Sequence, residues 1–292
     1  MKYKLLIALA IQRTIYNVLI HRAGVEKYSA PLVLLLIDAI HLFVSIIMVS
    51  LTGWTTNKSD WRPMILPAIL SFIKNNCIFW GMMFLDPSLH QLTYQINILF
   101  ASLITPIHLS SRQRFSILFL FVGICIILYN RDDALKLPQH HQLSGIILTI
   151  IGAASSAASN QAFEDIIKKE NDTTWVRQLQ MSALGVIGSL ISCVQERQYI
   201  INSEPISNTM MILVLIKCLG DIIIPFVLKY ASNIVKGFSD TLAIMMSIVL
   251  SQVLYHWHPH VHFYIGTALI FVAAFMFNHE IEKKIKHKIL TV

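Results

Sequence analysis

Apolar runs of about twenty residues dominate this chain, and short polar segments separate them. Ten such runs can be delimited, at 4–20, 31–52, 64–84, 88–109, 115–130, 143–163, 175–195, 209–229, 235–255 and 261–278. A membrane-spanning helix needs about 20 apolar residues, whereas a strand of a membrane barrel needs roughly ten in alternation. The pattern therefore predicts an all-α integral membrane protein with ten transmembrane helices.

The composition agrees with this prediction. Hydrophobic residues make up 55% of the chain and charged residues only 13%, about half the share of charge in a soluble domain. No segment has the length or composition of a soluble domain, so residues 1–292 are predicted to form a single transmembrane domain. The net charge of +7 is interpreted as a topology signal, not as a sign of nucleic-acid binding.

Positive residues are distributed unevenly between the two sides that ten spans would define. Fourteen lysines and arginines fall on the side of both termini, and five fall on the other side. Because lysine and arginine accumulate in cytosolic loops, this bias predicts that both termini face the cytosol. Asn57 and Asn171 begin two N-x-S/T acceptors in predicted cytosolic loops, so we expect no glycan at either position.

The two halves of the chain, approximately 1–139 and 140–292, show a weak likeness. Spans four and nine are each followed by a short loop and then by a span that contains one glycine, Gly123 or Gly266. Five spans per half is an odd number, so a duplicated half would be inserted in the opposite orientation. The pattern favours a five-plus-five inverted repeat, a common architecture of transporters.

Signatures of enzymes and pumps are sparse. The chain contains no G-x-x-x-x-G-K-[ST] motif, so ATP hydrolysis by a P-loop is not supported. Asp132 and Asp133 lie together in a non-cytosolic loop, where they could bind a metal that bridges a diphosphate or could form a solvated turn. We expect a protein that is not an enzyme and that carries neither a resident metal nor a cofactor.

Four histidines alternate in the loop before the tenth span. They are His256, His258, His260 and His262. Imidazoles at this spacing could bind a metal or titrate in a mildly acidic lumen. A polar loop that turns at Pro259 is the third interpretation, and the absence of a nearby cysteine or carboxylate favours it.

The stretch Pro225–Asp240 places polar groups at the junction of spans eight and nine. Lys229, Tyr230, Asn233 and Lys236 all fall here. Ionisable groups at such a place are costly unless they face water, protein or a ligand, and lysines suit an anion such as a phosphate. The stretch predicts either an anion site that faces a cavity or a cytosolic loop whose charge fixes the orientation.

Further polar groups lie inside other spans. Span three contains Lys74, span four contains Tyr94, Gln95 and Asn97, and spans six and seven contain a serine- and amide-rich set. Such groups either converge on a polar ligand or hydrogen-bond between helices. Helix association alone does not account for Lys74, because a lone cation in mid-membrane costs about 2.5–3.5 kcal/mol.

Several ordered motifs resemble the nucleotide-sugar transporters, in particular the group that carries CMP-sialic acid, UDP-galactose and UDP-N-acetylglucosamine. The resemblance covers nearly the whole chain. The matching segments are Leu66-Pro67-Ala68, Asn75-Asn76, Leu85-Asp86, Leu92 to Gln95, Phe163-Glu164, Trp175 to Arg177 with Gln180, Lys229-Tyr230, Asn233 and Lys236 to Phe238. The stretch that contains Lys229, Tyr230, Asn233 and Lys236 to Phe238 is the most specific match.

The resemblance implies ten helices in a drug/metabolite-transporter fold. It implies exchange of a cytosolic nucleotide sugar, a UDP-sugar or CMP-sialic acid, for a lumenal nucleoside monophosphate across the Golgi membrane, with the ER membrane as a second location. Membrane lipid surrounds such a protein. The resemblance also allows a homo-oligomer or a complex with a glycosyltransferase. The alternative is a family member that has lost transport and serves as a membrane scaffold for glycosyltransferases. A polytopic membrane enzyme is a third hypothesis, for which no credible base or metal cluster exists.

By position, Lys236 resembles the family's phosphate-binding lysine, and Ser156 matches a serine near the nucleotide. The family usually has lysine where Asn97 stands and glutamine where Lys74 stands. Aromatic or amide residues that line the nucleotide in the sialic-acid carriers are replaced here by Ser71, Gln178 and Ser182. The candidate substrate-binding residues are Lys74, Tyr94, Gln95, Asn97, Ser156, Gln178, Lys229, Tyr230, Asn233 and Lys236.

Compared with the family's usual pattern, this chain has a lysine in span three and lacks one in span four, which suggests a hypothesis. Lys74 would supply the phosphate contact that Asn97 cannot make. In the competing interpretation, Lys74 forms a structural ion pair with Asp38 of span two, since charges within membranes commonly pair with one another.

Overall fold

The structure is a computed structural model that describes residues 2–23, 27–53, 60–85, 87–104, 110–129, 139–169, 173–231, 233–255 and 261–290. All regular elements within these ranges are α-helices. They are α1 (Lys2–Ala23), α2 (Ala30–Thr52), α3 (Arg62–Phe84), α4 (Pro87–Tyr94), α5 (Ile96–Ile104), α6 (Ser111–Tyr129), α7 (Gln139–Lys169), α8 (Thr174–Gln195), α9 (Arg197–Asn202), α10 (Asn208–Tyr230), α11 (Asn233–Tyr255) and α12 (Val261–Leu290).

Helices occupy every predicted span. Nine of the spans each contain one long helix, and span four contains two, α4 and α5. The short helix α9, after α8, was not predicted. Within the described ranges, four segments have the length and hydropathy to cross a membrane. They are Ala30–Thr52, Arg62–Phe84, Gln142–Lys169 and Asn208–Tyr230. The all-helical membrane class is therefore confirmed.

Local sequence signals explain where several helices begin and end. Pro31 lies in the first turn of α2, where its missing N–H is not needed, and Gly53 ends this helix with a φ of +82°. The hydroxyls of Thr173 and Ser207 cap α8 and α10 and accept hydrogen bonds from the backbone N–H groups of Val176 and Met210. These caps satisfy N–H groups that have no partner within the helix.

The helices pack mainly across the two halves of the chain. The extensive contacts are those of α3 with α7, of α2 with α8, of α6 with α12, and of α1 with α10 and α11. Helix α5 also packs on α7. Because each half buries its helices against the other, the central helices α1, α3, α4, α7, α10 and α11 surround a common interior.

Polar residues of α1, which interrupt the first apolar run, face this interior. Gln12 and Asn17 are buried. The Nε2 group of Gln12 donates a hydrogen bond to the backbone oxygen of Ile216 in α10, at 2.7 Å. The polar face of α1 thus ties the first helix to the eighth span.

At the α6–α12 crossing, the backbones lie in close contact. A Cβ atom at Gly123 would lie 2.7 Å from the backbone oxygen of Gly266 and 3.0 Å from a side-chain carbon of Ile270. A backbone oxygen cannot move aside as the end of a flexible side chain can. Gly123 therefore permits this approach.

We expect Gly123→Ala to destabilise the protein by roughly 1–3 kcal/mol, the usual effect of overpacking. The thermal unfolding midpoint of the purified protein in detergent measures this effect. Val122→Ala is the matched control, because the neighbouring side chain is exposed on the outer surface. Equal midpoints for the two variants would show that the crossing tolerates the extra methyl group.

Candidate functional site

The break between α4 and α5 positions two candidate residues. At Gln95 the chain makes a turn, in which its N–H donates to the oxygen of Leu92 and its own oxygen accepts from Ile98. The Gln95 side-chain oxygen accepts a hydrogen bond from the Thr241 hydroxyl at 3.2 Å. The Tyr94 hydroxyl donates to Ser156 of α7 at 2.7 Å. The interruption of span four is thereby fixed to α7 and α11.

A central cavity lies among α1, α2, α3, α4, α7, α10 and α11. It encloses about 1200 Å³ that no atom fills, including the part that opens to solvent. Five of the ten candidate residues line it: Lys74, Tyr94, Gln95, Ser156 and Lys236. One side of the wall is apolar, with Ile20, Val33 and Phe79, so the cavity suits a ligand with charged and uncharged parts.

Six residues of the described lining are of types that are formally charged at neutral pH. Arg13, Lys74, Lys217 and Lys236 are the cations, and Asp221 and Asp240 are the carboxylates. Four cations against two carboxylates leave a net formal charge of +2. Clustered charge of one sign inside a low-dielectric wall attracts an oppositely charged ligand.

Asp240 contacts two of the cations. Its Oδ2 atom lies 3.4 Å from Nζ of Lys236, which is only 2% exposed. Its Oδ1 atom lies 3.4 Å from Nε of Arg13 on α1. The carboxylate of α11 thus joins the lysine of its own helix to an arginine of the first helix.

The remaining charges of the cavity lie on α3 and α10. Lys217 and Asp221 form an ion pair one helical turn apart. No carboxylate among the described residues pairs with Lys74. Asp38, the competing partner from the sequence, instead accepts a hydrogen bond from Ser189 at 2.6 Å. The ammonium group of Lys74 is therefore left for the cavity.

A second cavity, of about 820 Å³ including its open part, adjoins the first. The wall that the two cavities share includes Lys74, Asn75, Asn160 and Asp221. The second cavity is polar, and its lining includes the candidate Gln178 as well as Ser71, Ser182, Asp38 and His41. Ser71, Gln178 and Ser182, three positions at which the resemblance implies a departure from the sialic-acid carriers, thus line one space.

Four candidates line neither of these two cavities. Asn97 is buried in α5, and its side-chain oxygen has no hydrogen-bond partner among the described residues. Lys229 and Tyr230 lie at the end of α10, and Tyr230 is 45% exposed. Asn233 has a structural role at the start of α11, where its backbone N–H donates to Glu164 at 2.7 Å and its amide to the oxygen of Ala157 at 3.1 Å.

The stretch Pro225–Asp240 is therefore divided between its two interpretations. Lys236 and Asp240 face the central cavity, whereas Lys229 and Tyr230 lie at a helix end. The sequence reasoning missed Asp221 and Asp240 and left Arg13 and Lys217 without a role. The available signal was their position inside apolar runs, since ionisable residues within a membrane mark functional sites.

The metal interpretations fall mostly outside the described residues. Asp132 and Asp133, and three of the alternating histidines, lie there, while His262 is exposed at the start of α12. Among the residues that are described, no group of three or more histidine, cysteine or acidic side chains could hold a metal ion.

Comparison with solved structures supports the fold. A crystal structure of another protein matches with a TM-score of 0.66 and 14% sequence identity, over 93% of this chain and 95% of the other. At this identity the likeness concerns the fold alone.

Sequence comparison gives closer relatives. The human UDP-N-acetylglucosamine transporter is 27% identical over 237 residues, which are 74% of this chain and 70% of the relative. The UDP-galactose/UDP-N-acetylglucosamine transporter srf-3 of Caenorhabditis elegans is 23% identical over 95% of this chain and 82% of its own length. The UDP-galactose translocator of Bos taurus is 28% identical over 75% of this chain and 58% of its own.

The sequence profile of one family matches nearly the whole chain. Its description is nucleotide-sugar transporter, and the match covers residues 1–278. The match includes every described helix except the end of α12, and so it includes all the charged residues of the central cavity. The chain belongs to the nucleotide-sugar transporter family.

Proposed function

We propose that this protein is an antiporter that exchanges a cytosolic nucleotide sugar for a lumenal nucleoside monophosphate across the Golgi membrane. The observation that carries the proposal is the central cavity, whose described lining has a net formal charge of +2. A nucleoside diphosphate sugar carries a doubly charged diphosphate. Its charge matches that of the cavity, and its nucleoside and sugar supply the uncharged parts.

A UDP-sugar is the favoured substrate. The relatives described above are transporters or translocators of UDP-N-acetylglucosamine and UDP-galactose. CMP-sialic acid is the second candidate, because its phosphate and its carboxylate also bring two negative charges. The polar second cavity, with Gln178, Ser71 and Ser182, offers hydrogen-bonding groups to the uncharged part of the ligand.

The electrostatics of the cavity also favour exchange. Lys236 and Lys74 would make charge-assisted hydrogen bonds to phosphate, which are stronger in a low-dielectric interior than in water. A bound dianion would neutralise the lining, so the loaded carrier would reorient more easily than the empty one. The gradients of substrate and product then drive transport without ATP.

Uptake into proteoliposomes tests this proposal. Vesicles preloaded with UMP, CMP or buffer would receive labelled UDP-N-acetylglucosamine, UDP-galactose or CMP-sialic acid. We expect UMP inside to accelerate uptake of at least one UDP-sugar. Uptake that ignores the internal nucleotide would contradict antiport, and no uptake of any substrate would favour the transport-inactive scaffold.

The helix packing supports a five-plus-five inverted repeat. A repeat would pair α1 with α7, α2 with α8, α3 with α10, α4 and α5 with α11, and α6 with α12. Under this exchange the α3–α7 contact becomes α10–α1, and the α5–α7 contact becomes α11–α1. The contacts of α2 with α8 and of α6 with α12 become themselves. All these contacts are present among the described helices.

Ten spans and a repeat of this kind require both termini on one side, which the positive-residue bias assigns to the cytosol. We expect protease to remove tags at Met1 and Val292 in intact Golgi vesicles without detergent. A lumenal epitope-tagged marker, protected in the same vesicles, is the control. Protected tags, or a glycan on Asn171 of the unmodified protein, would refute this topology.

A further inference from the structure

The Asp240 carboxylate lies between two cations of the central cavity. One oxygen is 3.4 Å from Lys236 and the other is 3.4 Å from Arg13. The carboxylate itself is 14% exposed, whereas the Lys236 side chain is 2% exposed. A cation buried this deeply is costly without a counter-charge. In the described part of the chain, Asp240 supplies this counter-charge for both Lys236 and Arg13.

The contact between Arg13 and Asp240 is ionic, not a well-formed hydrogen bond. Nε of Arg13 and Oδ1 of Asp240 are buried, and neither has a hydrogen-bond partner among the described residues. Burial of polar atoms without such partners is unusual in a folded protein. Nε of Arg13 therefore has an unused donor, and both Arg13 and Lys236 line the cavity, where an anionic ligand can reach them.

We propose that Asp240 is a built-in counter-anion, which neutralises Lys236 and Arg13 in the empty carrier and limits how tightly they hold the ligand's phosphate. The proposal rests on the proposed function. Asp240 is here a positioning residue: its charge attracts the two cations that would bind the phosphate, and it repels the phosphate once bound. A carrier must release its ligand, so a counter-anion in the site trades affinity for turnover.

A merely structural role makes a different prediction. If Asp240 only ties α11 to α1, loss of either partner breaks the same contact, and both losses weaken the site in the same direction. If Asp240 acts through its charge, its removal strengthens anion binding and removal of Arg13 weakens it. The two accounts therefore predict opposite changes in anion affinity when Asp240 is replaced.

The experiment compares Asp240→Asn, Arg13→Gln and the double variant with the wild type in proteoliposomes. The readouts are inhibition of UDP-N-acetylglucosamine uptake by UMP, and the KM and kcat of exchange. We expect Asp240→Asn to bind UMP about tenfold more tightly and to turn over more slowly, since a like charge near the phosphate has gone. We expect Arg13→Gln to bind UMP about tenfold more weakly.

The double variant restores the local net charge, so its UMP inhibition should return to within roughly threefold of the wild type. Weaker UMP binding in both single variants, with the double variant no worse than either, would overturn the counter-anion and leave a structural tie. If Asp240→Asn does not purify as a monodisperse protein, Asp240→Thr removes the charge with a smaller side chain and is measured in the same way.

The failure of this inference differs from failure of the proposed function. A wild-type protein that takes up no nucleotide sugar and shows no thermal stabilisation by UMP would refute the proposed function, and the inference with it. A wild-type protein that exchanges normally, with variants that show effects of one sign, would refute Asp240 alone.

Discussion

Lys236→Ala is expected to abolish nucleotide exchange while the protein still folds and reaches the membrane in normal amounts. Lys236 is the most deeply buried cation of the cavity, at 2% exposure. Loss of one charge-assisted hydrogen bond costs about 1.5–3 kcal/mol of binding free energy, or roughly 10- to 150-fold in affinity. The substitution also leaves Asp240 with one cation fewer, which makes the site less attractive to phosphate.

Uptake of the best substrate, normalised to reconstituted protein, measures the effect. Lys169→Ala is the matched control, because Lys169 is an exposed lysine in the last turn of α7. Loss of transport in the control as well would point to a general effect of removing positive charge. Exchange at the wild-type rate by Lys236→Ala would refute the assigned role of this lysine.

Lys74→Gln is expected to reduce uptake severely. Lys74 lines both cavities and forms no ion pair with a described carboxylate, since Asp221 of the same wall pairs with Lys217. A ligand anion in either cavity can therefore reach its ammonium group. Glutamine is one atom shorter than lysine; it keeps a hydrogen-bonding group but removes the charge. Lys74→Arg distinguishes the effect of losing the charge from the effect of changing the side-chain shape, because arginine retains the charge with a different geometry. Wild-type uptake by Lys74→Gln would refute the ligand role.

Two second substitutions test the origin of the effect. Adding Asn97→Lys should restore much of the uptake if the cation has moved between spans. Asn97 lies two residues after Gln95 of the cavity wall, and a lysine stem reaches several ångströms beyond an asparagine. Rescue of Lys74→Gln by Asp38→Asn alone would instead show a structural pair. In the structure Asp38 forms no ion pair with Lys74 and accepts a hydrogen bond from Ser189.

Much of the fold could be predicted from the sequence, because hydrophobic length alone locates helices in a membrane protein. The break at Gln95 could not be predicted, since the residues around it, from Leu92 to Leu103, read as one apolar run with scattered polar groups. The helix α9 was also missed. Its six residues lie between two long apolar runs, and so short a helix has no strong periodic pattern.

Residues of the cavity lining could be predicted where an ionisable group is costly inside a membrane. They could not be predicted where the rotation of a helix about its axis decides which side chains face the cavity. Lys74 and Lys236 were predicted as candidates, and both line the central cavity, because an ionisable group inside a membrane must face water, protein or a ligand. Lys229 and Asn233 share a stretch with Lys236, but the end of α10 and the start of α11 turn them away from both cavities. Asp240 was missed although it lies one helical turn after Lys236, a spacing that brings two side chains of one helix together. Its contact with Arg13 could not be predicted, because spacing along one helix cannot reveal a partner on another.

The net charge of the cavity has a consequence for the membrane potential. One elementary charge carried across the membrane responds to the voltage with about 2.3 kcal/mol per 100 mV. With the formal charge of +2 on the described lining, a carrier that holds a dianion moves no net charge as it reorients. Exchange of one dianion for another is then insensitive to voltage, whereas a singly charged ligand would leave a charged carrier whose reorientation the voltage would drive or oppose.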